Sequence, residues 1–372
     1  MLATEPAGPL CPRTLDLPST RFASFTQESE VPGKLMQAAG QRKCPAACEN
    51  VVASAILAGT ILACEVASVQ KLFVGLFFFL FSVTLPAQTV VHVKGVAHTD
   101  QVDIAYETLG APGTALPVIA VNGGPGLSHA YMVQNDLWER IARNRLVVFY
   151  DQRGIGASKR LQPGAAQSMD VQVADLEAVR QTLKLAKVAL IGDSYGGLLV
   201  MAYAAAHPEH VAKLVLSDSP GPSWKSIARV LPEVFPDVED QGAQERQKLG
   251  SDTEAAARAG LRNHFRMLFY SPEKRDAYMS RMGDLGYEPA VAQAVSRATA
   301  DLDLTAKLAG FQFPTLVITG RYDMNVAPLT AWRLAHTIPG AKLVFFEQSG
   351  HLPSYEEPEK YTAVLEEFLN AR

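Results

Sequence analysis

From Thr89 onward, short apolar runs alternate with longer stretches whose apolar residues recur at helical spacing. Val90 to Val96 and Val102 to Leu109 predict two antiparallel strands leading into a sheet. Further runs follow, each bounded by turn residues: Pro117 to Val121, Leu146 to Tyr150, Val188 to Ile191, Leu214 to Ser217, Thr315 to Thr319 and Leu343 to Phe346. Such β-branched, nearly continuous runs are what strands buried on both faces of a parallel sheet require. Helical stretches separate them: Trp138 to Asn144, Val171 to Leu185, Leu198 to His207, Leu329 to Ile338 and Pro358 to Ala371. The alternation predicts an α/β fold with a mostly parallel, doubly wound sheet. Residues 220–306 break the rhythm. They hold no convincing strand but several helical segments rich in Ala, Arg and Glu, which reads as a helical cap over the active-site edge of the sheet. The core is then 88–219 with 307–372, preceded by an extension over 1–87.

That extension follows neither period. Leu72 to Val83 is an apolar run preceded by Lys71 and followed by Leu85-Pro86-Ala87, an imperfect small-residue cleavage site. Its length suits the core of a signal peptide and is short for a membrane span. A second run, Val51 to Ala63, ends at Cys64 with a faint likeness to a lipoprotein box, although Leu62 is bulky for one. These features lead us to expect a secretory signal or a membrane anchor, and a secreted or periplasmic protein. A signal peptide begins a chain, so the expectation carries a second one: that natural synthesis starts near Val69.

Composition narrows the function classes. With 372 residues, 48% hydrophobic and 19% charged, the chain can bury a large core, which excludes a disordered protein. A net charge of −4 leaves no basic footprint for nucleic acid. Cys11, Cys44, Cys48 and Cys64 all precede the catalytic region, in a stretch without histidine, so no Cys/His zinc site is expected. No H-E-x-x-H motif occurs either, and neither a metal nor a cofactor is implied. The sequence does not fix an oligomeric state.

The chemistry lies in residues that follow predicted strands. Gly192-Asp193-Ser194-Tyr195-Gly196 matches G-x-S-x-G, with the strand Val188 to Ile191 before it and a helix after it. That context makes a sharp turn with an exposed serine, and the helix N-terminus favours developing negative charge. A serine hydroxyl is a weak nucleophile and needs a base. His351, after the strand Leu343 to Phe346, supplies one, whereas the other histidines lie in early strands, at the far end of a helix, or away from any late strand. Asp323, after Thr315 to Thr319, is the favoured acid partner, and Asp218, after the preceding strand, is its rival. Asn122-Gly123-Gly124-Pro125-Gly126 follows the strand ending at Val121 and suits an oxyanion loop, with the N–H groups of Gly124 and Tyr195 as donors. No Gly-Lys-Ser/Thr follows it, which argues against a phosphate loop.

Together these segments, with Asp151-Gln152-Arg153-Gly154, Gly320-Arg321-Tyr322-Asp323 and Gly350-His351, resemble the prolyl-aminopeptidase (proline iminopeptidase) family of α/β-hydrolases over residues 89–372. The resemblance implies the α/β-hydrolase fold and release of an N-terminal residue, proline or similar, from small peptides or amides through an acyl-enzyme. It also implies cap carboxylates that hold the substrate's amine. Glu233, Glu239, Glu245 and Glu254 are available, though any one of them suits a solvated surface better, and none is singled out. Asp151 and Arg153 suit either a structural ion pair or support of the oxyanion loop. One departure is Asn122, where the family's loop usually begins with histidine; it leaves the hydrolytic groups intact and puts the substrate preference in doubt. A carboxylesterase or lactonase would use the same triad. Ser194 argues against dehalogenase and epoxide-hydrolase chemistry, which uses an aspartate nucleophile, and the complete triad argues against a non-catalytic binding protein.

Overall fold

A computed structural model describes residues 90–371, except 159–160, 162–164 and 284. The strands are β1 (His92–His98), β2 (Asp103–Leu109), β3 (Val118–Val121), β4 (Val147–Tyr150), β5 (Val188–Asp193), β6 (Val211–Ser217), β7 (Thr315–Gly320) and β8 (Lys342–Phe346). They form one sheet in the order β1-β2-β4-β3-β5-β6-β7-β8. The pairs β1·β2 and β2·β4 are antiparallel, and every later pair is parallel. Burial explains which runs were continuous: β3, β4, β5 and β7 are covered on both faces, whereas the edge strand β1 is mostly exposed. The mostly parallel sheet expected from the strand–helix alternation is the one observed, and it is the α/β-hydrolase fold that the resemblance implies.

In the core the helices are α1 (Leu137–Ala142), α2 (Met169–Thr182) and α3 (Tyr195–Ala206). Between β6 and β7 come α4 (Leu231–Val234), α5 (Pro236–Leu249), α6 (Thr253–Arg266), α7 (Pro272–Arg281), α8 (Pro289–Ala298) and α9 (Thr305–Leu308). The chain closes with α10 (Pro328–Thr337), α11 (Pro353–Glu356) and α12 (Pro358–Asn370). Two apolar layers sandwich the sheet. Leu176 and Val179 of α2, Leu198 to Met201 of α3 and Leu334 of α10 pack on one face. Trp138 and Ile141 of α1 and Tyr361, Leu365 and Phe368 of α12 pack on the other. The helix α3 is buried from Tyr195 to Ala204, which accounts for its lack of a polar side.

The inserted helices are pinned at their base. Ser223 and Asp303 form an isolated bridge, Leu304 N–H donates to Pro222 C=O at 2.9 Å, and Trp224 Nε1–H donates to Thr299 Oγ1 at 2.9 Å. Within the insertion, Asp252 and Ser271 cap α6 and α7 by accepting the N–H groups of Ala255 and Lys274.

The secreted, periplasmic or membrane-anchored placement expected above is corrected here. The segment 71–87 on which it rested, like the rest of the 1–87 extension and its cysteines, lies outside the described residues. Among the described residues no helix is long and apolar enough to cross a membrane.

Candidate active site

The strand β5 passes into α3 without a loop, and Ser194 takes the whole turn at φ 50, ψ −124. Left-handed φ in a non-glycine residue is uncommon and costs free energy, so the surroundings must hold it. They do so by close approach: a Cβ on Gly196 would lie 2.2 Å from Val121 O. Ser194 N–H also donates to Ser217 C=O of β6 at 2.9 Å.

The loop after β8 brings His351 over this turn. Its Nε2 lies 3.0 Å from Ser194 Oγ and its Nδ1 lies 2.7 Å from Asp323 Oδ2. A carboxylate only accepts, so Nδ1 carries the proton and Nε2 offers its lone pair to the serine. Asp323 is fully buried, and its Oδ1 accepts the N–H groups of Asn325 and Val326 at 2.9 Å each. Burial acts to lower the His351 pKa, but the charge and hydrogen bond of Asp323, joined by the charge of Asp193, hold it above the ordinary value. Asp218 is buried too, but it accepts Gly320 N–H at 2.9 Å and the Ser217 hydroxyl at 3.0 Å instead of touching the imidazole.

Glu356, which the sequence reading missed, ties the base in place. Buried within α11, it accepts Gly350 N–H at 2.7 Å and the N–H groups of Tyr270 and Ser271. His351 N–H donates to Leu268 C=O at 2.7 Å, so the base loop is fastened to the inserted segment as well.

At the loop after β3, Gly123 N–H is taken by Tyr131 Oη at 2.5 Å, and Gly124, at φ +123, lines the cavity. Tyr195 N–H opens α3, where a first-turn amide has no intrahelical partner. Asn122 does not face the cavity chemistry: fully buried, it closes the loop by donating to Leu127 C=O at 2.6 Å and to Gly123 C=O at 3.0 Å. Asp151 and Arg153 do not pair with each other. Asp151 accepts from His129 Nδ1 at 2.9 Å and Ala157 N–H at 2.8 Å, while Arg153 grips Asp175 at 2.6 and 2.7 Å. The direct support comes from the residue between them, since Gln152 Nε2 donates to Asn122 C=O at 2.7 Å.

This geometry can deliver a serine alkoxide equivalent to a carbonyl and hold the resulting oxyanion, which is acyl-transfer chemistry. Comparison with known proteins agrees. Residues 117–358 match the α/β hydrolase fold family. A proline iminopeptidase from Heyndrickxia coagulans is 30% identical over 280 residues, spanning 72% of this chain and 95% of that protein. The chain belongs to the proline iminopeptidase family of α/β-hydrolases. Another proline iminopeptidase, from Saccharolobus solfataricus, is 28% identical over 310 residues, covering 78% of this chain and 96% of its own. Among solved structures, a thermophilic esterase from Thermogutta terrifontis superposes with a TM-score of 0.56 at 25% identity, covering 75% of this chain and 98% of that one. Like its family, the chain is a serine hydrolase.

The cavity next to Ser194 and His351 has a volume of about 370 Å³. Ala257, Gly260, Leu261 and His264 of α6 and Ala292 and Ser296 of α8 form the roof. None of the four candidate glutamates reaches it. Glu233, Glu245 and Glu254 are exposed, Glu239 is half-buried, and none lines the cavity. The one carboxylate among the described lining residues is Asp193, from the serine turn itself. Burial pushes Asp193 up to about 6, against the opposing charge of His351 and the Tyr131 hydrogen bond. Burial, with the charges of His351 and Arg229, brings His264 down to about 4, so the roof imidazole is neutral near pH 7.

Proposed function

We propose that this serine hydrolase releases a single N-terminal residue, proline or similar, from small peptides or amides. The observation that carries the reading is the cavity of about 370 Å³ at Ser194 and His351, at the small end of the range of ligand sites and suited to a small acyl group. The family relatives support it. Ser194 Oγ attacks the carbonyl carbon as His351 Nε2 takes its proton, and the oxyanion is received by the N–H groups of Gly124 and Tyr195. One such preorganised donor is worth roughly 3–4 kcal/mol in the transition state. The C–N bond then breaks, His351 returns the proton to the leaving amine, and water repeats the sequence on the acyl-enzyme. Asp323 keeps the imidazole in its working tautomer throughout.

A second reading, a carboxylesterase or lactonase acting on small esters, is favoured by the apolar roof and by the absence of any glutamate of the insertion from the cavity lining. A hydrolysis panel separates the two. The full chain and its Ser194→Ala variant are assayed on N-terminally free Pro, Ala, Leu and Phe arylamides, their N-blocked counterparts, and short-chain aryl esters. Serine-dependent cleavage of free but not blocked arylamides is the expected result. Cleavage of esters alone overturns the aminopeptidase reading in favour of the esterase one.

A further inference from the structure

We propose that Asp193, the residue preceding the serine, is the carboxylate that receives the substrate's free α-ammonium; this rests on the aminopeptidase reading above. An enzyme selective for a free amino terminus needs an anion close to the scissile carbonyl, because the amine sits one carbon from it. The inserted helices offer none among the described lining residues, whereas Asp193 lines the cavity beside Ser194.

Its hydrogen bonding leaves it available. Asp193 is 4% exposed, and its Oδ2 accepts the Tyr131 hydroxyl at 2.5 Å. Among the described residues nothing donates to its Oδ1. A buried carboxylate is normally paired or well supplied with donors, and one neutral hydroxyl is a meagre supply. No Lys or Arg lines the cavity among the described residues, and Arg229, whose charge acts on His264, is exposed.

Charge balance points the same way. The transition state places negative charge on the substrate oxygen, next to the N–H groups of Gly124 and Tyr195. An ionised Asp193 nearby opposes that charge, and a neutral acyl group would leave the opposition standing. A substrate ammonium neutralises the carboxylate and turns a penalty for uncharged substrates into selectivity for charged ones. The Tyr131 hydroxyl, held between Asp193 Oδ2 and Gly123 N–H, fixes the orientation of the carboxylate relative to the oxyanion loop.

The test compares alanine 4-nitroanilide with propionyl 4-nitroanilide, which differ only in the amine, on the full chain and its Asp193→Asn variant. The ratio of kcat/KM for alanyl over propionyl substrate is expected to fall about 10- to 150-fold in the variant, the range of a charged hydrogen bond. Labelling of Ser194 by a fluorophosphonate reports that the variant is folded. Asp193→Gly provides an independent check: added formate is expected to restore its alanyl activity several-fold without moving its propionyl activity. An unchanged ratio, or no rescue by formate, overturns the assignment. If the parent enzyme cleaves the propionyl substrate but not the alanyl one, the aminopeptidase reading itself fails. If it cleaves the alanyl substrate and the ratio survives in the variant, only the role of Asp193 fails.

Discussion

Asp218 and Asp323 leave neighbouring strands with carboxylate oxygens within 4.8 Å of each other, yet His351 binds only Asp323. Two buried carboxylates this close cannot both ionise readily. Burial, reinforced by the charges of Asp323 and Asp193, holds the Asp218 carboxyl well above the usual carboxylate range. The rivalry visible in the sequence is resolved by hydrogen bonding: Asp323 reaches the imidazole, while Asp218 is taken up by Gly320 N–H and the Ser217 hydroxyl.

Substitution should separate the two acids sharply. Asp323→Asn is expected to lower kcat about 10⁴-fold, because the imidazole loses the partner that fixes its tautomer. Asp218→Asn keeps an acceptor for Gly320 N–H at a position that does not touch the imidazole. It is expected to keep kcat within about tenfold, a loss of less than about 1.4 kcal/mol. Steady-state kinetics normalised by active-site titration checks both.

The pH profile carries the sign of the His351 shift. Attack requires the neutral ring, so kcat/KM rises with pH through the histidine's pKa, and that pKa is held above the ordinary 6.5. The acid limb is expected to have its midpoint above 6.5. In Asp193→Asn, which removes one of the raising charges, the limb is expected to move to lower pH. Profiles on an aryl ester, which carries no amine, measure this apart from substrate binding. The same shift makes a contribution to stability that is present below pH 6.5 and lost as pH rises through the raised value.

Arg153 and Asp175 form a bidentate pair with side chains only 3% and 2% exposed. Arg153→Met is expected to destabilise the fold by about 3–5 kcal/mol, since it strands a buried carboxylate. The double variant Arg153→Met with Asp175→Leu should recover a large part of that loss. Urea denaturation of the single and double variants gives the comparison.

Gly196→Ala probes the close packing behind the serine. The added Cβ meets Val121 O and Asn122 O at 2.2 and 2.8 Å, both backbone atoms that cannot swing aside. A loss of about 3 kcal/mol or more is expected, together with a fall in activity as the oxyanion loop is pushed away. Thermal unfolding and ester hydrolysis report the two effects separately.

The parallel strands were legible because burial on both faces leaves a continuous apolar run. The ends were less so. The sequence reading stops β5 at Ile191, but pairing carries it through Gly192 and Asp193 against Leu216 and Ser217, residues whose own strand propensity is low. The edge strand β1 lies two residues later than its apolar run suggests, because the turn between it and β2 is set by hydrogen bonds of Thr99 to Val102. Ser194, Asp323 and His351 were legible for a positional reason: each follows a strand, and strand ends share one edge of the sheet. Tyr131, Glu356 and Asp193 were not, since their partners are tertiary. The acidic residue inside Gly192-Asp193-Ser194-Tyr195-Gly196 was the one local signal for the last of these. No glutamate of the insertion could be singled out from the sequence, because charge along a helix does not say which way it faces. The apolar spacing of Ala257, Leu261, His264 and Phe265 on α6 marks the side turned to the cavity.

The stapled base of the insertion has an evolutionary consequence. Ser223 and Asp303 bring the entering and leaving chains together, so the interval between them is one continuous block that leaves and rejoins the core at one place. Drift at its cavity-facing positions can rewrite which molecules are admitted, provided the stretch at Leu268, Tyr270 and Ser271 keeps its hold on the His351 loop. Lineages built on this plan can diversify their diet by exchanging one continuous block of sequence.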